Sequence, residues 1–232
     1  MSKSWISVSN SHGEKFDAYL SLPPTGKGPG LVLIQEIFGV NEHIRAVADQ
    51  YAADGYCVLA PDVFWRDEKR LELNYDQAGF DKGLALLGKM NIDQIAGDLK
   101  ACVSTLRKHQ ACTGKVGAVG FCMGGLLSYV AAAEAGVDTA VCYYGGGIHQ
   151  QLDRAKKIKC PVLFHFAEKD GYIPSQAVDA VRKAMQGRDN VRIVVHPNVD
   201  HGFNCWRRPA WDQVAAARAR GQSLVHLSET LR

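Results

Sequence analysis

No apolar run in this sequence reaches the roughly 18 residues a membrane-crossing helix needs. The start, Met1-Ser2-Lys3-Ser4-Trp5, lacks the apolar centre of a secretory signal, so a cytoplasmic protein is expected. Neither sign of charge dominates: the formal net charge is +3, with acidic and basic residues mixed along the chain. That balance argues against nucleic acid or a membrane surface as the partner. The seven cysteines, at 57, 102, 112, 122, 142, 160 and 205, include no C-x-x-C pair. An odd, scattered set fits neither a disulfide framework nor a zinc motif, and no metal or cofactor is expected. Internal repeats, low-complexity tracts and linkers are also missing, which reads as one domain over residues 1–232.

What the chain does have is short apolar runs. Leu31-Val32-Leu33-Ile34, Cys57-Val58-Leu59-Ala60, Val116-Gly117-Ala118-Val119, Ala140-Val141-Cys142-Tyr143, Pro161-Val162-Leu163-Phe164 and Val191–Val195 recur along it. Near-continuous apolar strands of this length suit a parallel sheet covered on both faces. Between them, apolar residues fall at helical spacing, as in Ile44, Val47, Ala48 and Tyr51, or Ile92, Ile95, Leu99, Val103 and Leu106. The alternation predicts an α/β, doubly wound sheet with right-handed crossovers. At the start, Trp5–Val8 and Phe16–Leu20 flank Asn10-Ser11-His12-Gly13, which predicts an antiparallel hairpin at the sheet edge. Residues 63–90 are the least regular and read as a helical excursion beyond a strand's carboxyl end.

The most specific motif is Gly120-Phe121-Cys122-Met123-Gly124-Gly125, lying between the strand Lys115–Val119 and a helix from about Met123. This is a nucleophile elbow, in which glycines two residues either side of the nucleophile let strand and helix approach closely. The turn lifts the Cys122 sulfur above the sheet at a helix N-terminus, which favours thiolate. The Met123 N–H is then placed to donate to an oxyanion. A dinucleotide-binding loop is rejected, because the first strand–helix turn reads Gln35-Glu36-Ile37-Phe38-Gly39 and lacks G-x-G-x-x-G.

In such a fold the acid and then the histidine follow the nucleophile, each after a later strand. Asp170 lies in Ala167-Glu168-Lys169-Asp170-Gly171 and His201 in Asp200-His201-Gly202-Phe203. Asp170 is favoured over Glu168 because a short carboxylate suits a tight loop before glycine. Asp200 stands as a supporting or solvated group. His165 and His196 fall inside strand sequence, and His12, His43, His109, His149 and His226 have no supporting context.

Taken together, Gln35–Asn41, Ala60-Pro61-Asp62, Gly114–Gly117, Gly120–Gly125, Tyr143-Tyr144-Gly145 and Asp200–Phe203 resemble the dienelactone hydrolases (carboxymethylenebutenolidases), in order and over about residues 5–230. The resemblance implies an eight-stranded α/β-hydrolase fold and hydrolysis of a dienelactone to maleylacetate. It implies a Cys122–Asp170–His201 triad, a special glutamate at Glu36, and the Ile37 N–H as a second oxyanion donor. Phe38 and Tyr144, within the matching segments, are expected to contact substrate. Relatives grip the substrate carboxylate with two arginines. Here the first position falls near Phe80, for which Arg66 or Arg70 could substitute, and the second is displaced to Arg207 or Arg208. The partner expected is a small lactone or ester, and the chain a monomer or weak oligomer. A general carboxylesterase or a thiol redox sensor are the alternatives.

Glu36 ends the apolar strand Leu31–Gln35, so its carboxylate should emerge at the same sheet edge as Cys122. A carboxylate there could accept the S–H bond and keep the thiol protonated until substrate displaces it. The alternative is a structural carboxylate paired with Arg45 or with an active-site arginine.

Overall fold

The computed structural model describes residues 2–232. In chain order the elements are β1 (Lys3–Ser9), β2 (Lys15–Ser21), β3 (Gly28–Ile34), α1 (Glu42–Ala53), β4 (Cys57–Pro61), α2 (Gln77–Leu87) and α3 (Ile92–Lys108). They continue with β5 (Cys112–Phe121), α4 (Met123–Val130), β6 (Thr139–Tyr143), β7 (Val162–Ala167), α5 (Ser175–Ala184), β8 (Val191–His196) and α6 (Gln213–Thr230). Among the described residues, the strands form one eight-stranded sheet in the order β1-β2-β4-β3-β5-β6-β7-β8. β1 and β2 pair antiparallel and β2 joins β4 antiparallel, whereas every pair from β4 to β8 is parallel. This is the doubly wound α/β sheet expected from the run of apolar strands, antiparallel edge included, and the eight-stranded α/β-hydrolase architecture that the resemblance implies.

Burial explains why that pattern was readable. β4, β6 and β7 are buried along their whole length, as strands covered by helices on both faces must be. The β1–β2 turn is made by Asn10, whose Oδ1 accepts from the His12 and Glu14 N–H groups at 3.0 and 3.1 Å, an Asx-type turn. α1 starts where the Asn41 side chain accepts from the Ile44 N–H at 3.1 Å.

The stretch beyond β4 is turn-rich up to Asp76, whose carboxylate caps α2 by accepting from the Gly79 N–H at 2.8 Å. α6 begins at Gln213, capped by Asp212, and runs to Thr230. No helix among the described residues is long and apolar enough to cross a membrane. The sulfurs of all the cysteines are free.

Candidate active site

The turn after β5 has the geometry the motif demands. Cys122 sits at φ 56° and ψ −118°, a strained backbone region for a residue with a side chain. Its N–H is anchored to the Tyr143 carbonyl at 3.0 Å. A Cβ at Gly120 would lie 2.0 Å from the Gly124 carbonyl oxygen, and one at Gly124 would lie 2.2 Å from that of Ile34. Strand β3, the turn and helix α4 therefore touch backbone to backbone, and only glycine fits. The half-buried Cys122 is left at the N-terminus of α4, over the carboxyl edge of the sheet.

The loop after β7 carries Asp170 and the loop after β8 carries His201, both buried. Asp170 Oδ2 lies 2.9 Å from His201 Nδ1, while its Oδ1 accepts from the Tyr172 and Ile173 N–H groups at 2.9 and 3.1 Å. That second pair of bonds fixes the carboxylate's orientation toward the ring. Glu168 is elsewhere: it accepts from the Asn198 N–H at 2.7 Å and staples the next loop. Asp200 ties the two loops together, since its Oδ1 accepts from the Gly171 N–H at 3.1 Å and the His201 N–H at 2.6 Å. Tyr144 and Tyr172 stand edge-on to the His201 ring at 5.0 and 5.1 Å.

Burial works against the His201 imidazolium, but negative charge at Cys122, bonding to Asp170 and Cys122, and the Asp170 charge outweigh it and push the ring up to about 10. The sulfur, the imidazole and the carboxylate thus behave as one electrostatic unit. Tyr144 itself is fully buried beneath His201 at φ 34°, so it supports the ring and is absent from the cavity wall where substrate contact had been expected.

Cys122 and His201 open into a cavity of about 130 Å³. Its walls are largely apolar: Ile37, Phe38, Phe80, Leu84, Leu87 and Leu126 contribute. Met123 and Ile37, the expected oxyanion donors, both border it. The Ile37 turn is braced by buried Gln35, which donates to the Glu36 carbonyl at 3.2 Å and accepts from the Val63 N–H at 3.2 Å. α2 lies directly on this turn: a Cβ at Gly83 would come within 2.7 Å of the Ile37 carbonyl oxygen.

Glu36 is completely buried. Its Oε1 accepts from Arg208 Nη1 at 3.3 Å and its Oε2 from the Tyr75 hydroxyl at 3.1 Å. Among the described residues no hydrogen bond joins it to the Cys122 sulfur. A charge-assisted bond to a guanidinium outcompetes a weak S–H donor, so the expected thiol contact gives way to the arginine pairing. Burial disfavours the Arg208 charge, but Glu36 and Cys122 hold its guanidinium above the ordinary range.

Of the two arginines expected after the histidine, only Arg208 borders the cavity. Arg207 is exposed and 4.0 Å from Glu42. Arg66 pairs with Asp98 and Glu14, Arg70 with Asp17, and Arg45 with Glu72, so none of these reaches the site. Phe80 does occupy the cavity wall. Three residues escaped the sequence reading: Tyr75, His43 and Cys205, which surround Glu36. His43 Nδ1 lies 3.2 Å from the Tyr75 hydroxyl and 3.6 Å from Cys205 Sγ.

Known proteins match this arrangement along nearly the whole chain. The dienelactone hydrolase family matches residues 16–231. The carboxymethylenebutenolidase of Pseudomonas sp. (strain P51) is 31% identical over 224 residues, covering 96% of this chain and 93% of that protein. The carboxymethylenebutenolidase of Pseudomonas putida is 30% identical over 224 residues, covering 96% and 95%. A crystal structure from Klebsiella pneumoniae superposes with a TM-score of 0.86 at 28% identity over 99% of this chain and 100% of that one. With the family matched from β2 to the last residues of the fold, and the elbow and both loops in their places, the chain is a hydrolase belonging to the dienelactone hydrolase family.

Proposed function

We propose that this protein hydrolyses a lactone or small ester through Cys122 as nucleophile, with His201 as general acid–base and Asp170 orienting it. The natural reaction on this reading is ring opening of a dienelactone to maleylacetate. The observation that carries the proposal is the 2.9 Å Asp170–His201 pair facing the same cavity as a cysteine held at φ 56° on a helix N-terminus.

The Cys122 sulfur attacks the carbonyl carbon, and the developing oxyanion is received by the Ile37 and Met123 N–H groups. Met123 opens α4, so its N–H has no partner within the helix. Collapse of the adduct breaks the ester C–O bond, and the leaving oxygen takes a proton from His201. The thioester is then cleaved by water, whose proton passes to the same ring, releasing the acid and the Cys122 thiolate, which takes its proton back from Glu36.

Glu36 supplies the entry to this cycle. A substrate carboxylate competing for Arg208 would free Glu36 to take the thiol proton, as proposed for the matching glutamate in dienelactone hydrolases. A second reading, a hydrolase of uncharged esters, is favoured by the apolar wall and by Arg208 being the one charged side chain there besides the His201 unit. Turnover of a dienelactone and of p-nitrophenyl acetate, before and after iodoacetamide, tests the proposal. Both activities should vanish on alkylation of Cys122; esterase activity surviving complete alkylation would overturn it.

A further inference from the structure

Behind the catalytic wall Glu36, to which the proposed function gives a role, is surrounded by side chains that hydrolysis does not use. Glu36, His43 and Cys205 are all buried, and one donor atom from each lies within 4.8 Å of the others. The Tyr75 hydroxyl sits among them, 3.1 Å from Glu36 Oε2 and 3.2 Å from His43 Nδ1, which in turn is 3.6 Å from Cys205 Sγ. The 3.6 Å between His43 Nδ1 and Cys205 Sγ is close to an edge of a tetrahedron around a zinc-like ion, about 3.3–3.6 Å for bonds of about 2.0–2.3 Å, and Glu36 stands within 4.8 Å of both. The donor set, carboxylate, imidazole and thiol, is that of a borderline-soft dication rather than of magnesium or calcium.

His43 itself is 4% exposed, and the ring nitrogen turned toward the cluster is Nδ1. There is also a way in: His43 and Tyr75 line a surface depression of about 260 Å³ together with Glu42, Glu72 and Arg207. The Trp206 ring, 4.2 Å from that of His43, screens the cluster on another side.

We propose that Glu36, His43 and Cys205 form a binding site for a thiophilic divalent cation of the zinc class, with Tyr75 beside it. On binding, Cys205 releases its proton to solvent, so two anionic donors meet the two positive charges while His43 ligates as the neutral ring. Glu36 Oε2 faces the ion and Oε1 stays toward Arg208. The ion would therefore hold the carboxylate away from Cys122 and slow turnover. That consequence rests on the role proposed for Glu36, whereas the binding itself does not.

Cobalt(II) added alone to chelator-treated protein separates the two. The experiment is run in Cys122→Ala, so that the nucleophile cannot be the ligand. The expected result is one Co²⁺ per chain, with a near-ultraviolet thiolate-to-cobalt band that zinc abolishes. Adding Cys205→Ser or His43→Asn should remove the band and weaken binding more than about 10-fold. Circular dichroism checks that each variant folds. Should either fail, a zinc-induced rise in Tm in the Cys122→Ala protein supplies the readout, since a ligand of the native state alone stabilises it. No band in Cys122→Ala, a band that survives loss of Cys205, or no rise in Tm would overturn the site. Binding without inhibition of the wild-type enzyme would leave the site standing and refute the role of Glu36.

Discussion

The two sides of the cavity are built in different ways. On one side Cys122, Asp170 and His201 arrive from three separate loops, and each is fixed by its own backbone: a glycine-lined turn, a doubly accepting Asp170 Oδ1, and the Asp200 tie. On the other side Glu36 is fixed by long side chains, Arg208 and Tyr75, from distant parts of the chain. A nucleophile must keep its position through every turnover, and backbone anchoring gives that. A carboxylate proposed to change partner during the reaction is better held by side chains, whose rotamers can yield. The first side is accordingly rigid and the second exchangeable.

Substitutions on the rigid side should have the largest effects. Cys122→Ala should abolish turnover with the fold intact, and Cys122→Ser should cost on the order of 10²-fold or more, because a hydroxyl depends wholly on His201 for activation. Asp170→Asn should lower kcat by about 10²–10⁴-fold through loss of the correct tautomer, while Glu168→Gln changes it less than about 2-fold. Steady-state kinetics of the pair decides this; the opposite ranking would move the acid to Glu168.

The exchangeable side should respond in a more divided way. Glu36→Gln leaves the Arg208 charge uncompensated beside the sulfur, so alkylation by iodoacetamide at neutral pH should speed up while lactone turnover falls about 10-fold. If both rates stay at the wild-type value, Glu36 has no part in controlling Cys122. Arg208→Ala should raise KM for carboxylate-bearing lactones about 10-fold with less effect on neutral esters, since a guanidinium matches a carboxylate as a paired donor. Arg207→Ala, at the exposed position, should do neither.

How legible each side was follows from the same difference. The elbow needs glycines at fixed offsets, and the acid and histidine must follow later strands, so Cys122, Asp170 and His201 could be placed from spacing and order. The apolar strands were legible because helices cover both faces of the sheet. Tyr75, His43 and Cys205 follow no spacing rule: they come from the excursion, the first helix and the loop after His201, and meet only in space. Choosing between Arg207 and Arg208 had the same difficulty, since neighbours in sequence point to opposite environments.

The smallest expected effect concerns stability, and it separates the site's histidine from those of the core. His201 is pushed up to about 10, so the folded protein keeps a proton that the unfolded chain releases above about 6.5. That stabilisation is complete below about 6.5 and is lost as pH rises toward 10. His165, 3.0 Å from His196, is held well below its usual range by burial and then by the neighbouring ring. It must gain a proton on acid unfolding, so its contribution is lost as pH falls below about 6.5. Tm should therefore decline by a few degrees on both flanks of neutrality, and Asp170→Asn should flatten only the alkaline flank. An unchanged alkaline flank would mean that Asp170 and His201 are not linked through that proton.

The contact between Gly83 and the Ile37 carbonyl has a consequence for how this enzyme can diverge. Helix α2 supplies Phe80, Leu84 and Leu87 to the cavity, so it is the natural place to alter which substrate fits. Yet the helix is seated on the Ile37 carbonyl, in the peptide next to the one that carries the Ile37 N–H, with no room for even a methyl group between helix and carbonyl. The cavity-facing Phe80, Leu84 and Leu87 can be exchanged without entering that contact, but a shift of the helix axis presses directly on Ile37. Selectivity and rate are thus separable by changing side chains on α2, and become coupled as soon as its backbone moves.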